Sequence, residues 1–268
     1  MELSGILRRF APSYVRNYLS DIQTRLLRLE SRVPRIENLQ ATISILEATI
    51  DSGMQSPLWW PADDIGFNGQ LRRKEIFSDL LATFPFTALV ETGTWTGDTT
   101  GYLAETSRLP VFSGELSYRF HSLAKRRLVN FPGITLRNAD SRRFLTDLAA
   151  EDDLRQRATF FYLDAHWHSD LPLAEEIELI AVNWKNFVIM IDDFAVPGDA
   201  GYGFDDYGEG KALTMEYIAP VMKRNDLAAY YPSAASEQET GHKRGSIVLV
   251  RRGVASDALN GLASLKPA

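Results

Sequence analysis

A doubly wound α/β domain behind a helical segment is the fold that the sequence predicts, on three observations. Between Val15 and Ile36 the apolar residues follow a helical seam; beyond the turn-rich stretch DSGMQSPLWWPADD, short β-rich runs alternate with amphipathic helical stretches; and most of the early β-rich runs are largely apolar rather than alternating. The last feature belongs to parallel strands covered by helices on both faces. The predicted boundaries are 1–55 for the N-terminal helical segment and 56–268 for the α/β domain.

In the first segment Val15, Leu19, Ile22, Leu26, Leu29, Val33 and Ile36 are spaced alternately by four and three, the heptad seam of a coiled coil. Pro34 interrupts it, since proline has no amide donor, and the seam resumes in a new phase at Leu39, Ile43, Leu46 and Ile50. Such a stripe either packs on its own α/β domain or pairs with a second copy. Homo-oligomerisation through residues 14–50 is the expectation carried forward.

Seven strands are predicted for the second segment: 87–91, 111–115, 134–138, 159–163, 187–191, 227–231 and 246–250. They are expected to form a parallel sheet whose last strand is antiparallel. The tail after Gly253 is small and polar, and is expected to fray.

Composition narrows the function. At 268 residues and 45% hydrophobic content, the chain can bury one full α/β core with a small appendage. The absence of cysteine excludes disulfides, thiolate catalysis, zinc–thiolate sites and iron–sulfur clusters, so any metal must sit on oxygen or imidazole. A balance of 29 basic against 35 acidic residues gives no field that gathers nucleic acid or an anionic membrane. No run reaches the roughly 18 apolar residues of a membrane span. Ile6, Leu7 and Phe10 beside Arg8 and Arg9 make too short an apolar face for stable anchoring. The expectation is a cytoplasmic protein with no nucleic-acid partner and no stable membrane insertion.

The first α/β strand runs into ETGTWTG, so that Glu91 ends a strand, Gly93 and Gly97 shape a turn, and a helix starts near Asp98. Glycines allow close backbone approach, and the helix N-terminus offers free amides to a nucleotide-like ligand. An acid ahead of G-x-x-x-G repels a pyrophosphate, unlike the G-x-G-x-x-G of dinucleotide sites, and suits a cationic sulfonium better. Glu115 ends the next strand at the spacing that ribose recognition requires.

With these motifs the chain resembles the class I S-adenosylmethionine-dependent methyltransferases, Rossmann-like enzymes, over about residues 67–250. The resemblance implies that Glu91, Gly93, Thr94 and Gly97 surround the methionine moiety, that Glu115 binds the ribose hydroxyls, and that Asp140 with Ser141 holds the adenine. Asp164, at the same sheet edge, is counted with the cofactor-facing residues too. Each acid also has a plainer reading: Asp140 and Asp98 as helix caps, Glu115 as a solvated loop acid.

Strand four ends in LDAHWHSD and strand five in IDDF, bringing Asp164, Asp192 and Asp193 to adjacent strand ends with no basic residue nearby in sequence. Carboxylates so placed repel one another unless a cation is present, and hard oxygen ligands favour magnesium, calcium or manganese. The pattern resembles the metal-dependent O-methyltransferases of the macrocin (sugar) and catechol types. That resemblance implies Mg2+, or another divalent cation, on Asp164, Asp192 and Asp193. Where the sugar enzymes carry a second acid as general base, this chain has His166, and an imidazole pKa near 6.5 fits the task. His168, after Trp167, is the alternative base by comparison with the catechol enzymes.

The long stretch FAVPGDAGYGFDDYGEGK is expected to serve as a lid or a flexible connector, with Tyr202, Phe204 and Tyr207 available for stacking and Asp205 and Asp206 for hydroxyls or a cation. Residues 66–73 resemble the segment that closes over the cofactor, and His242, Lys243 and Arg244 are expected to be solvated turn charges. The leading function is methyl transfer to a hydroxyl of a small molecule or sugar. A metal-dependent hydrolase or hydroxylase, and a noncatalytic coiled-coil assembly protein, are the alternatives; neither predicts cofactor binding.

Overall fold

The computed structural model describes residues 66–166 and 170–268, together with Asp21, Ile22, Thr24, Arg25, Leu39, Thr42 and Ile43. The chain divides into two compact units, Met1–Trp59 and Trp60–Ala268. In the first, all seven described residues are helical and Arg25 pairs with Asp21 at 2.9 Å, one helical turn apart. The heptad seam otherwise lies outside the described residues.

The second unit is a single mixed sheet flanked by helices. Its strands are β1 (Ala88–Thr92), β2 (Val111–Glu115), β3 (Ile134–Asn138), β4 (Thr159–Leu163), β5 (Phe187–Ile191), β6 (Leu227–Pro232), β7 (Ile247–Arg251) and β8 (Leu265–Pro267). Their order is β3-β2-β1-β4-β5-β7-β6-β8. The first five run parallel, and β7 enters antiparallel between β5 and β6. The helices are α1 (Leu71–Thr83), α2 (Asp98–Ser107), α3 (Tyr118–Arg127), α4 (Ser141–Ala149), α5 (Asp152–Gln156), α6 (Leu173–Asn183), α7 (Met215–Arg224) and α8 (Val254–Leu259).

Every residue of β1, β4 and β5 is buried, because each strand is covered on both faces. Alternate side chains serve opposite cores. Val90, Phe161, Leu163, Ile189 and Ile191 pack with Phe144, Leu148, Ile177 and Ile218, whereas Leu89, Phe160, Tyr162, Val188 and Met190 pack with Ile76, Phe77, Leu80 and Leu103. β3, at the sheet edge, is only partly covered.

The tail does not fray as its composition suggests. It forms α8 and β8, and β8 pairs antiparallel with β6 as an eighth strand. Two apolar anchors explain this: Leu259 and Leu265 are buried in the second core, and the added strand covers an otherwise open sheet edge. Among the described residues, no helix is long and apolar enough to cross a membrane.

Candidate active site

Strand order reverses between β1 and β4, so the loops at their C-terminal ends part and leave a crevice. A cleft of about 750 Å³ lies there, lined by Gly93, Trp95, Glu115, Asp140, Ser141, Asp164, His166 and Asp193, among others.

Two residues of the glycine turn, Gly93 and Trp95, line it. Gly93 has φ 87°, and a Cβ on it would lie 2.1 Å from the Asp164 carbonyl oxygen, so only glycine lets β1 and β4 close at this point. Gly97, also left-handed at φ 85°, caps α2 with its backbone. The Gly93 and Thr94 amides both donate to the Gly114 carbonyl, tying the turn to β2.

Glu91 lies at the end of β1, beneath the turn. It is wholly buried and does not line the cleft; its Oε2 accepts from Ser113 Oγ at 2.5 Å and from Thr100 Oγ1, stitching β1 to β2 and α2. Burial pushes its pKa up to about 7, against the two hydroxyl donors that pull it down. Thr94, bound to Ser113 Oγ at 2.6 Å, and Gly97 likewise lie outside the cleft lining. These three residues shape the turn from outside the cleft lining.

Glu115 does face the cleft. Its two oxygens accept from the Trp95 amide at 2.8 Å and the Ser117 amide at 2.7 Å, which fixes the carboxylate while leaving lone pairs for a ligand. Trp95, with φ 45° and half its surface exposed, pairs with Phe120 at 6.0 Å along the same wall. Sequence reading passed over both aromatics. Asp140 is a helix cap and a cleft residue together: it accepts from the Arg142 and Arg143 amides at the head of α4, and from the Arg142 side chain, which hold its pKa below the ordinary value.

The acidic cluster separates into two constellations. Asp192 is completely buried, and all four of its acceptor positions are taken: Oδ1 by Arg73 and the Asp193 amide, Oδ2 by Tyr162 at 2.5 Å and Asn68 at 3.3 Å. It has nothing left for a metal, which corrects its assignment as a ligand. The counter-charge absent from the local sequence comes from a distance: Arg73, itself buried, reaches Asp192, while Arg244 pairs with Asp193 at 2.5 Å and with Asp205. Arg244 is thus no solvated turn charge.

The second constellation is Asp164, His166 and Asp193, each offering a ligand atom within 4.8 Å of the others. His166 Nε2 stands 3.8 Å from Asp164 Oδ1. His166 is 2% exposed and both ring nitrogens lack a partner. Burial lowers its pKa to about 4, so it is neutral at pH 7 and a much weaker base than the near-6.5 imidazole expected. Burial and Asp192 raise Asp193 to about 7, and burial followed by Asp192 and Asp193 raises Asp164. Two carboxylates reluctant to ionise beside a neutral, unpartnered imidazole fit a divalent cation. His168 lies outside the described residues.

The 66–73 segment and the long loop wall off the rest. Phe67 and Asn68 are left-handed, at φ 56° and 59°. Phe67 is fully buried edge-on against Phe77, Tyr102 and Tyr162, which holds Asn68 at the cleft. In the loop, Tyr202 is buried and donates to the Ala234 carbonyl, Phe204 does not line the cleft, and Asp206 accepts from the Gly208 amide. Asp205 and Tyr207 do line it, and Tyr207 Oη reaches the His166 carbonyl at 2.8 Å. The loop is a tethered wall rather than a free connector.

No family model matches the chain, and no curated protein matches it in sequence. Solved structures do. An O-methyltransferase from Bacillus cereus in complex with SAH is 15% identical, with 79% of this chain and 91% of that one covered and a TM-score of 0.50. The sugar N-methyltransferase KedS8 from Streptoalloteichus is 18% identical, over 68% of this chain and 88% of that one, at a TM-score of 0.47. TomG, an O-methyltransferase from Streptomyces achromogenes solved with SAM, is 14% identical over 68% and 79%, also at 0.47. The likeness to the Bacillus cereus enzyme fixes the fold as the Rossmann-like methyltransferase fold.

Proposed function

We propose that this protein is an S-adenosylmethionine-dependent O-methyltransferase acting on a hydroxyl of a small molecule or sugar, assisted by Mg2+ or another divalent cation. The observation that carries the reading is Glu115, fixed by two amides and facing a cleft that Gly93, Asp140 and Ser141 also line. A carboxylate so held suits vicinal ribose hydroxyls, and the acid-rich cleft suits a sulfonium.

Asp164, His166 and Asp193 would hold the cation, which when bound lowers the pKa of an acceptor hydroxyl. In the transfer the hydroxyl gives its proton to a base, its oxygen forms a bond to the methyl carbon as the sulfur–methyl bond breaks, and S-adenosylhomocysteine leaves. The chain contributes alignment: the glycine turn sets the donor's depth, and Tyr207 and Asp205 border the acceptor's side. His166 is read as a ligand and not as the base; His168 carries the base assignment, on the sequence alone. For residues 14–50 the reading is self-association; of the stripe's described members, Leu39 and Ile43 are exposed and Ile22 is half-buried.

Labelled S-adenosylmethionine tested against a panel of sugars and phenols, with and without chelator, checks the proposal. The expected result is metal-restored transfer to a hydroxyl, Mn2+ binding weakened by His166→Ala, and kcat reduced about 10²- to 10⁴-fold by His168→Gln. Transfer that survives chelation and Asp193→Asn removes the cation from the reading; cofactor hydrolysis without transfer favours a hydrolase.

A further inference from the structure

Beside the Ser141 end of the cleft lie polar side chains that neither the core nor the reaction above uses. Glu176, in the first turn of α6, is fully buried, and neither of its carboxyl oxygens has a hydrogen-bond partner. Thr92 Oγ1, at the end of β1, and Ser141 Oγ, at the head of α4, are buried and equally unpartnered. Buried polar atoms without partners are rare, and those that converge from three elements are one another's natural partners. Burial raises Glu176 to about 7, while Ser141 and Thr92 stand close enough to pull it down. Of the three, only Ser141 also lines the cleft.

We infer that Glu176 is a positioning residue for the cofactor: acting through Ser141, it sets whether that hydroxyl offers the cleft a proton donor or only an acceptor. The inference rests on the methyltransferase reading, which places an adenine at Asp140 and Ser141. A serine hydroxyl has one proton. When Glu176 is protonated, it donates to Ser141 Oγ and leaves the serine proton free for a ring nitrogen of the adenine. When Glu176 is ionised, it can only accept, and it draws in the hydroxyl protons of Ser141 and Thr92. Ser141 then shows the cleft lone pairs alone, and the bond to the ring nitrogen is lost. The groups facing Glu176 are Asp140 and Arg142, opposite in sign and paired at 2.9 Å, and Tyr217 of α7, whose phenol burial pushes above its ordinary pKa, while Glu175 on its own helix is exposed and 3.7 Å from Arg142. Asp140 and Arg142 act on Glu176 in opposite directions and burial is the largest influence on its proton, so adenine binding weakens as pH rises past neutrality.

The test uses the full chain and adenosine, titrated by calorimetry at about pH 6 and about pH 8.5, either side of the transition. For the unmodified protein, the dissociation constant rises about three- to tenfold between the two, the worth of one hydrogen bond. Glu176→Gln, which cannot ionise, binds with no such step, and this comparison separates Glu176 from any titration of Asp164 and Asp193. Ser141→Ala, which keeps Glu176 but lacks the hydroxyl, binds more weakly and also without the step; it decides the matter if Glu176→Gln does not fold. A step of undiminished size in either variant overturns the inference. Adenosine binding to none of the three folded proteins is a different outcome: it overturns the cofactor reading itself, and the inference with it.

Discussion

Glu91 is an acid whose surroundings hold it back from ionising. Its carboxyl sits among Ser113, Thr100 and apolar strands, with its pKa near 7 instead of the ordinary 4.5. The folded chain therefore holds a proton there that the unfolded chain releases between pH 4.5 and 7. Stability from this group is full below about pH 4.5 and falls as pH rises through 7, by on the order of 3 kcal/mol in all. Glu91→Gln keeps an acceptor oxygen for the two hydroxyls and cannot ionise. In urea denaturation the variant should match the unmodified protein near pH 5 and exceed it at pH 8; equal stability at pH 8 would show that Glu91 ionises without cost.

Among the elements, the closing segment and α1 are held by groups remote in sequence. The α1 amides of Arg72 and Arg73 donate to Glu239, and that of Leu71 to Thr240 Oγ1, so the β6–β7 connection caps the helix that its own Gln70 does not cap. From α1, Arg73 then reaches Asp192 at the end of β5 and the Arg244 and Gly245 carbonyls. Removing one member leaves the other a buried, uncompensated charge, so Arg73→Met should cost about 3–5 kcal/mol in chemical denaturation. Arg73→Met with Asp192→Asn should recover much of that loss. If the double variant is no more stable than the single, Arg73 acts through packing and not through charge.

The sheet of the α/β unit was legible because its signals are local. Short β-rich runs, bounded by turn residues and helix starts, place β2, β3, β4 and β5 at their observed limits and the other three predicted strands within a residue. Glu115, Asp140, Ser141 and Asp164 reach the cleft because strand ends in a doubly wound sheet share one edge. What was not legible depends on partners far along the chain. Asp192 and Asp193 are neighbours in sequence with opposite fates, decided by Arg73 from 119 residues before and Arg244 from 51 residues after. Burial, likewise, takes from His166 the basicity that its residue type suggests. The tail's strand depended on two leucines and an open edge, neither of which polar composition reveals.

For the molecule as a whole, the claim is that one cleft at the reversal of strand order holds the methyl donor. A crystal structure with S-adenosylhomocysteine tests it most directly. The account predicts the ribose hydroxyls within about 3 Å of Glu115, the adenine against Asp140 and Ser141, and the homocysteine over Gly93 towards Asp164. Ligand bound elsewhere on the protein, or in this cleft with its ribose turned away from Glu115, would contradict it.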